Sequence, residues 1–242
     1  DQLHTLFFSK AKDIFTCEQL YYWRYHRNLI PKTKNPNMER GAFVHAVVDT
    51  AIKNLHLQPE LTNNSALGIA LVQQEENFIL PPDAKQDADT MLFHLWKKLQ
   101  EFEIVETEKV INLDLGGGFI WKSKLDSILA VGDGFWQGEY KTTANYASNI
   151  KRLYHTSIQP FVYLYAAHRA GLTLRGTKMF IATRKECVCE DVISTPDQLA
   201  QAKRFIEQSL FKIIDIEKSQ LFTRNRTQCV TLTSECIYRP LC

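Results

Sequence analysis

Asp126, Glu139 and Lys141 are the residues whose types and spacing could carry chemistry in this 242-residue chain. Asp126 lies in Lys124-Leu125-Asp126-Ser127-Ile128, and the other two lie in Gly138-Glu139-Tyr140-Lys141-Thr142. Side chains alternate along a strand, so Glu139 and Lys141 project from one face and Tyr140 from the other. If Gly132-Asp133-Gly134 marks a hairpin with a two- or four-residue loop, paired positions sum to an odd number, and Asp126 faces Glu139 or Lys141. Two carboxylates and an ammonium then converge. On a buried sheet face this is costly unless a divalent cation neutralises the carboxylates, and hard oxygen ligands suit Mg2+ or Mn2+. Such an ion can polarise a phosphoryl oxygen and acidify water, with the lysine orienting that water or stabilising developing charge. By itself the hairpin is more often an ordinary solvated strand face, so its surroundings decide.

The elements that must position these residues can be read from periodicity and punctuation. A helix is expected from Ser9, as capping residue, to about Asn28, a loop over Pro31 to Asn37, and a second helix from about Met38 to His56. Two more are expected over Ala66–Ile79 and Ala84–Glu103, separated by the Pro81-Pro82 break. Val105–Leu115, Phe119–Val131 and Phe135–Thr143 then read as a strand meander punctuated by glycines. A helix from Ser157 to Ala170 carries Pro160 in its first turn, where the missing N–H costs nothing. Gly176–Arg184 and Cys187–Ser194 read as strands, Pro196–Lys218 as a long helix, and a tail follows from Gln220. The order predicts an α/β fold, a central mixed sheet flanked by helices. It is taken as one domain over 1–242: a mainly helical part to 103, a sheet core over 104–218 and a cysteine-bearing tail over 219–242.

A hydrophobic content of 45% with 10 glycines and 8 prolines allows one sizeable core and excludes disordered and fibrous classes. No stretch approaches the ~20 apolar residues of a membrane helix, and residues 1–10 show no signal pattern, so the expectation is an intracellular, cytoplasmic protein without membrane partners. The net charge of +2 does not announce a nucleic-acid binder. Lys32/Lys34/Arg40, Lys122/Lys124, Lys151/Arg152 and Arg224/Arg226 are local basic clusters, each compatible with an ordinary solvated face. Without a signal pattern the six cysteines favour metal or cluster ligation over disulfides. Cys187 and Cys189 are two apart in a strand-like run and are expected simply to pack on one face.

Four elements occur in order: Gly41-Ala42-Phe43-Val44-His45, Asp126, Glu139-Tyr140-Lys141, and Gln159-Pro160-Phe161-Val162-Tyr163. This resembles the RecB-like nuclease branch of the PD-(D/E)xK superfamily, whose pattern is G-x-x-x-H, a metal-binding aspartate, E-x-K and Q-x-x-x-Y. The resemblance implies a restriction-endonuclease-like core and a metal-dependent DNA nuclease. It further implies an exonuclease on single-stranded DNA or DNA ends, working in recombination or repair, with a helicase or recombination protein as partner. It implies His45, Asp126, Glu139 and the Tyr140 backbone carbonyl as ligands of Mg2+ or Mn2+, Lys141 as the catalytic lysine, and Gln159 and Tyr163 as supporting residues. The helix spacing agrees, since Gly41 and His45 share one face, as do Gln159 and Tyr163. Cys17 with Cys229, Cys236 and Cys242 resembles the iron–sulfur subset, in which four thiolates hold a [4Fe-4S] cluster. The spacing between Cys229 and Cys236 is wider than usual there, and a zinc site or ordinary thiols stay open. Other readings are a non-catalytic, nuclease-like DNA-binding module and a hydrolase of small phosphoesters.

Overall fold

The computed structural model describes residues 4–32, 35–144, 147–229 and 236–242. A short strand β1 (His4–Leu6) leads into helices α1 (Phe8–Thr16) and α2 (Glu18–Tyr21), followed by a π-helical turn over Tyr22–His26. Three helices come next: α3 (Pro36–Leu57), α4 (Asn63–Glu75) and α5 (Pro82–Leu99). Strands β2 (Glu103–Gly116), β3 (Phe119–Val131) and β4 (Gly134–Thr142) form the meander. Helices α6 (Ala147–Thr156) and α7 (Gln159–Arg169) cross to β5 (Leu174–Ala182), then β6 (Cys187–Val192) and α8 (Pro196–Ser219).

The six strands form one mixed sheet. β2 runs antiparallel along one edge of β3, so β1 and β4 must share the other edge. β1 pairs in parallel with Phe119–Trp121, and β4 pairs antiparallel with Ser127–Val131. Among the described residues, the stretch 122–126 of β3 between them has no strand partner on that side. β4 continues in parallel with β5, which pairs antiparallel with β6. The parallel β4–β5 step requires a crossover, and α6 and α7 supply it.

Each face of the sheet has its own core. Leu6, Trp121, Leu125, Met179 and Ile181 pack with residues of α1, α7 and α8. Leu129, Tyr140, Phe180 and Ala182 pack with α3 and α5. β5 is buried on both faces, as expected of an inner strand with helices above and below. Among the described residues, no helix is long and apolar enough to cross a membrane.

Several expectations need correction. Ser9 is not a cap: the helix starts at Phe8, with Phe7 at the cap position making no side-chain bond. The expected continuous first helix breaks at Cys17, whose backbone is extended (φ −168°, ψ 120°). The break lets Glu18 turn to the tail, where it accepts from the Thr223 N–H at 2.7 Å and pairs with Lys212. The expected loop to Asn37 ends earlier, because Asn35 caps α3 through the Asn37 N–H and Pro36 occupies its first turn. β1, inside the part expected to be helical, is too short to show period-two alternation. α6 adds a helix between the expected third meander strand and the helix expected from Ser157. Of the basic clusters, Arg40 is buried against Asp87, Lys151 pairs with Glu190, and Lys34 lies outside the described residues.

Candidate active site

The β3–β4 hairpin closes through a two-residue loop, with Val131 opposite Gly134. The pairing runs back to Ser127 opposite Gly138, so the next position places Asp126 opposite Glu139. There the strands part. Tyr140 donates its N–H not to a β3 carbonyl but to Asp126 Oδ2, at 2.7 Å. The aspartate side chain thus takes over from the ladder and fixes the mouth of the split.

Glu139 and Lys141 project on the same face of β4, and Lys141 Nζ lies 2.6 Å from Glu139 Oε1. The Glu139 side chain is 5% exposed, whereas Lys141 lines a cleft of about 680 Å3 together with Met38, Gly41, His45 and Asp126. Glu139 therefore lies behind Lys141. α3 brings His45 in from the other core, with its Nδ1 3.5 Å from Asp126 Oδ1. Gly41, one turn earlier, permits the approach: a Cβ there would meet Thr142 Oγ1 at 3.2 Å.

The electrostatics follow from burial of two carboxylates with two cationic partners. Burial pushes Asp126 up, but His45, Lys141 and the Tyr140 N–H outweigh it and hold the carboxyl below its ordinary range. Burial raises Glu139 and, with the Asp126 charge, prevails over Lys141, so its pKa is raised. Burial works against charge on His45 and Lys141, yet the Asp126 carboxylate in the first case and Glu139 in the second raise both. Lys141 and His45 thus stand as the cationic partners of the two carboxyl groups. Carboxylate oxygens with one imidazole nitrogen form a donor set that fits Mg2+ or Mn2+, which would compete with the lysine and with the His45 proton. Among the described residues, no three His, Cys, Asp or Glu side chains already converge tightly enough to chelate an ion.

Gln159 and Tyr163 stand on α7, with Gln159 Nε2 donating to Tyr163 Oη at 3.1 Å. They do not line the cleft. Burial and the Glu139 charge push the Tyr163 phenol up, which places it behind the carboxylates. Two carboxylates outside the sequence motifs, Asp49 and Glu108, line the cleft with His45 and Asp126. Asp49 is one turn after His45 on α3 and accepts from Thr107 Oγ1 at 2.6 Å. Glu108 lies across from Asp126 on β2, with a left-handed φ of +53°, and pairs with Lys124. The i+4 spacing of His45 and Asp49 was a readable signal, whereas the Glu108 backbone was not.

The six cysteines are all free thiols. Cys187 and Cys189 pack at the edge of the α3/α5 core, and burial pushes their pKa values up to about 12 and about 11. Cys17, Cys229, Cys236 and Cys242 line one cavity of about 890 Å3, which Arg24 also borders. The tail is held there by polar bonds as well: Asn225 Nδ2 donates to the Thr16 carbonyl at 3.0 Å and Tyr238 Oη to the Leu29 carbonyl at 2.6 Å.

A comparison with curated proteins finds no match. Among solved structures, a putative exonuclease from Eubacterium rectale is similar, with a TM-score of 0.60 at 14% identity, covering 98% of this chain and 92% of that one. An alkaline exonuclease from Laribacter hongkongensis also matches, with a TM-score of 0.37 at 10% identity over 73% of this chain and 95% of its own. The first likeness establishes the shared fold, a mixed sheet flanked by helices of the restriction-endonuclease-like type. The model of the PD-(D/E)XK nuclease superfamily matches residues 6–242. With that match spanning nearly all of the sequence, the chain belongs to the PD-(D/E)XK nuclease superfamily.

Proposed function

We propose that this chain is a metal-dependent deoxyribonuclease of the RecB-like branch that hydrolyses phosphodiester bonds, acting as an exonuclease on single-stranded DNA or DNA ends. The observation that carries the reading is the strand split at which Asp126, Glu139 and Lys141 meet, with His45 entering from α3. His45, Asp126, Glu139 and the Tyr140 carbonyl would hold Mg2+ or Mn2+, whose charge polarises a phosphoryl oxygen and lowers the pKa of water. Lys141, charged and lining the cleft, orients the attacking water or offsets the negative charge that grows on the phosphate. Asp126 holds His45 and the Tyr140 peptide in place, so loss of its charge loosens both groups together. Repair or recombination is the setting proposed for this activity.

We propose further that Cys17, Cys229, Cys236 and Cys242 hold a [4Fe-4S] cluster. Their common cavity supports this reading.

The deciding experiment incubates anaerobically purified protein with end-labelled single- and double-stranded DNA in Mn2+, Mg2+ or EDTA, beside Asp126→Ala. Cleavage that requires metal and disappears in Asp126→Ala supports the reading. DNA binding without cleavage in either metal would replace it with a non-catalytic module.

A further inference from the structure

The two oxygens of Glu139 have different partners. Oε1 meets Lys141 Nζ at 2.6 Å, and Oε2 accepts from the side-chain amide of Gln137 at 3.1 Å. Gln137 is fully buried, and its own carbonyl accepts from Thr177 Oγ1 at 3.3 Å. Thr177 stands beside Gln137 in the parallel β4–β5 register and is also fully buried. The direction of this relay is forced by chemistry. An ionised carboxylate can only accept, so Gln137 must turn its NH2 to Glu139, leaving its oxygen for the threonine hydroxyl.

The arrangement does more than fill space. An apolar side chain could occupy the position without needing partners, whereas a buried amide is tolerated only when its polar atoms are bonded. The last torsion of a glutamate is soft, and a carboxylate held by Lys141 alone could swing either oxygen to the cleft. A second fixed donor removes that freedom.

We infer that Gln137, braced by Thr177, is a positioning residue that sets the rotation of the Glu139 carboxylate and keeps Oε1 turned to the cleft side. The inference rests on the proposed role of Glu139 as a metal ligand. Gln137 touches neither the cleft nor the substrate, so its influence passes through Glu139.

The test uses Gln137→Met, which has similar length and no donor, Thr177→Val, which keeps the shape and loses the hydroxyl, and Thr177→Ser, which keeps the hydroxyl. Mn2+ affinity is read on the DNA-free chain from the electron paramagnetic resonance of free Mn2+. Melting in EDTA and kcat and KM on end-labelled single-stranded DNA are read alongside. Gln137→Met is expected to bind Mn2+ roughly 10–100-fold more weakly, as loss of a group that orients a metal ligand commonly does. Its kcat should fall while the KM for DNA holds. Thr177→Val should show a smaller loss in the same direction, and Thr177→Ser should behave as wild type. In a Glu139→Gln background, Gln137→Met should cost no further Mn2+ affinity. Folded Gln137→Met with wild-type Mn2+ affinity, or with an undiminished loss in the Glu139→Gln background, overturns the assignment and leaves the metal-site reading standing. Equal losses in Thr177→Ser and Thr177→Val overturn the brace. A wild-type chain that binds no Mn2+ overturns the metal site, and the role of Gln137 with it.

Discussion

Replacing Lys141 by methionine keeps the reach of the side chain and deletes its charge. Its Nζ is 2.6 Å from an oxygen of Glu139, whose side chain is 5% exposed. At an effective dielectric of about 20, the direct attraction across that distance is about 6 kcal/mol. Desolvation of the lysine offsets part of this, and removing one partner of a buried pair costs about 3–5 kcal/mol net. For a chain of this size each kcal/mol moves the midpoint by about 2–4 °C, so melting in EDTA should fall by roughly 6–20 °C. Saturating Mn2+ should recover about 2.7 kcal/mol at a hundred times its Kd. The deficit should also depend on pH. The folded-state pKa of Glu139 is already raised above its ordinary 4.5 by burial. A carboxyl raised in this way binds its proton more readily folded than unfolded, so stability is given up as pH climbs from the unfolded value to the folded one. Without Lys141 the folded value climbs further, and the gap between variant and wild type should widen from pH 5 to pH 8. Circular dichroism melts across that range, with and without Mn2+, together with cleavage assays, measure all of this. A variant melting within about 2 °C of wild type at pH 8 in EDTA, or cutting DNA at a substantial metal-dependent rate, would refute the reasoning.

Further outcomes are expected at other positions. His45→Ala should weaken metal binding without removing all activity, with Mn2+ rescuing better than Mg2+, because imidazole suits the softer ion. The pKa of His45 is raised by Asp126 against the effect of burial. Its ion pair therefore contributes stability fully below about pH 6.5 and loses it as pH rises through the folded value. Metal competes with that proton, so Mn2+ affinity measured by titration should rise with pH in wild type and more shallowly in His45→Ala. Cys17→Ser, purified anaerobically beside wild type, should lose brown colour, iron and thermal stability together. A colourless wild type lacking iron and sulfide would exclude the cluster. Gly138→Ala should destabilise by about 1–3 kcal/mol in denaturant melts, because its Cβ would lie 2.1 Å from Ser127 Oγ.

The hairpin that carries the candidate site was legible because a strand has a period of two and its loop was marked by glycines. Parity put Asp126 across from Glu139 or Lys141, and the observed register selects Glu139. Cys17, Cys229, Cys236 and Cys242 border one cavity, but among the described residues no three of them converge as a ready set of metal ligands. What stayed hidden depended on contacts far apart in sequence. β1 exists because three residues find the free edge of β3, over a hundred positions away. The break at Cys17 answers to Thr223 and Lys212 near the other end of the chain. Asp49 and Glu108 belong to no motif and share the cleft only because β2 lies alongside Asp126 and carries Thr107 to Asp49. Gln137, two residues before Glu139, was within reach of the same alternation rule, but glutamine has no charge to draw notice. Its role needs Thr177 from a strand that follows two helices.

The polar bonds that tie α1 and α2 to the tail bear on how the chain is made. Thr16, Glu18 and Gln19 find partners at Asn225, Thr223 and Phe222, about two hundred positions later. Ribosomes add about 5–20 residues per second, so the first helices wait roughly 10–40 s for the segment that completes them. In that interval Cys17 and the aromatic run Tyr21-Tyr22-Trp23 are open to solvent, oxidants and chaperones. The meander and the Asp126–Glu139 split are synthesised in the middle of this wait, while β4 still lacks β5. Vectorial synthesis thus delivers both strands of the candidate-site hairpin before α1 and α2 can make their polar bonds to residues 222–225.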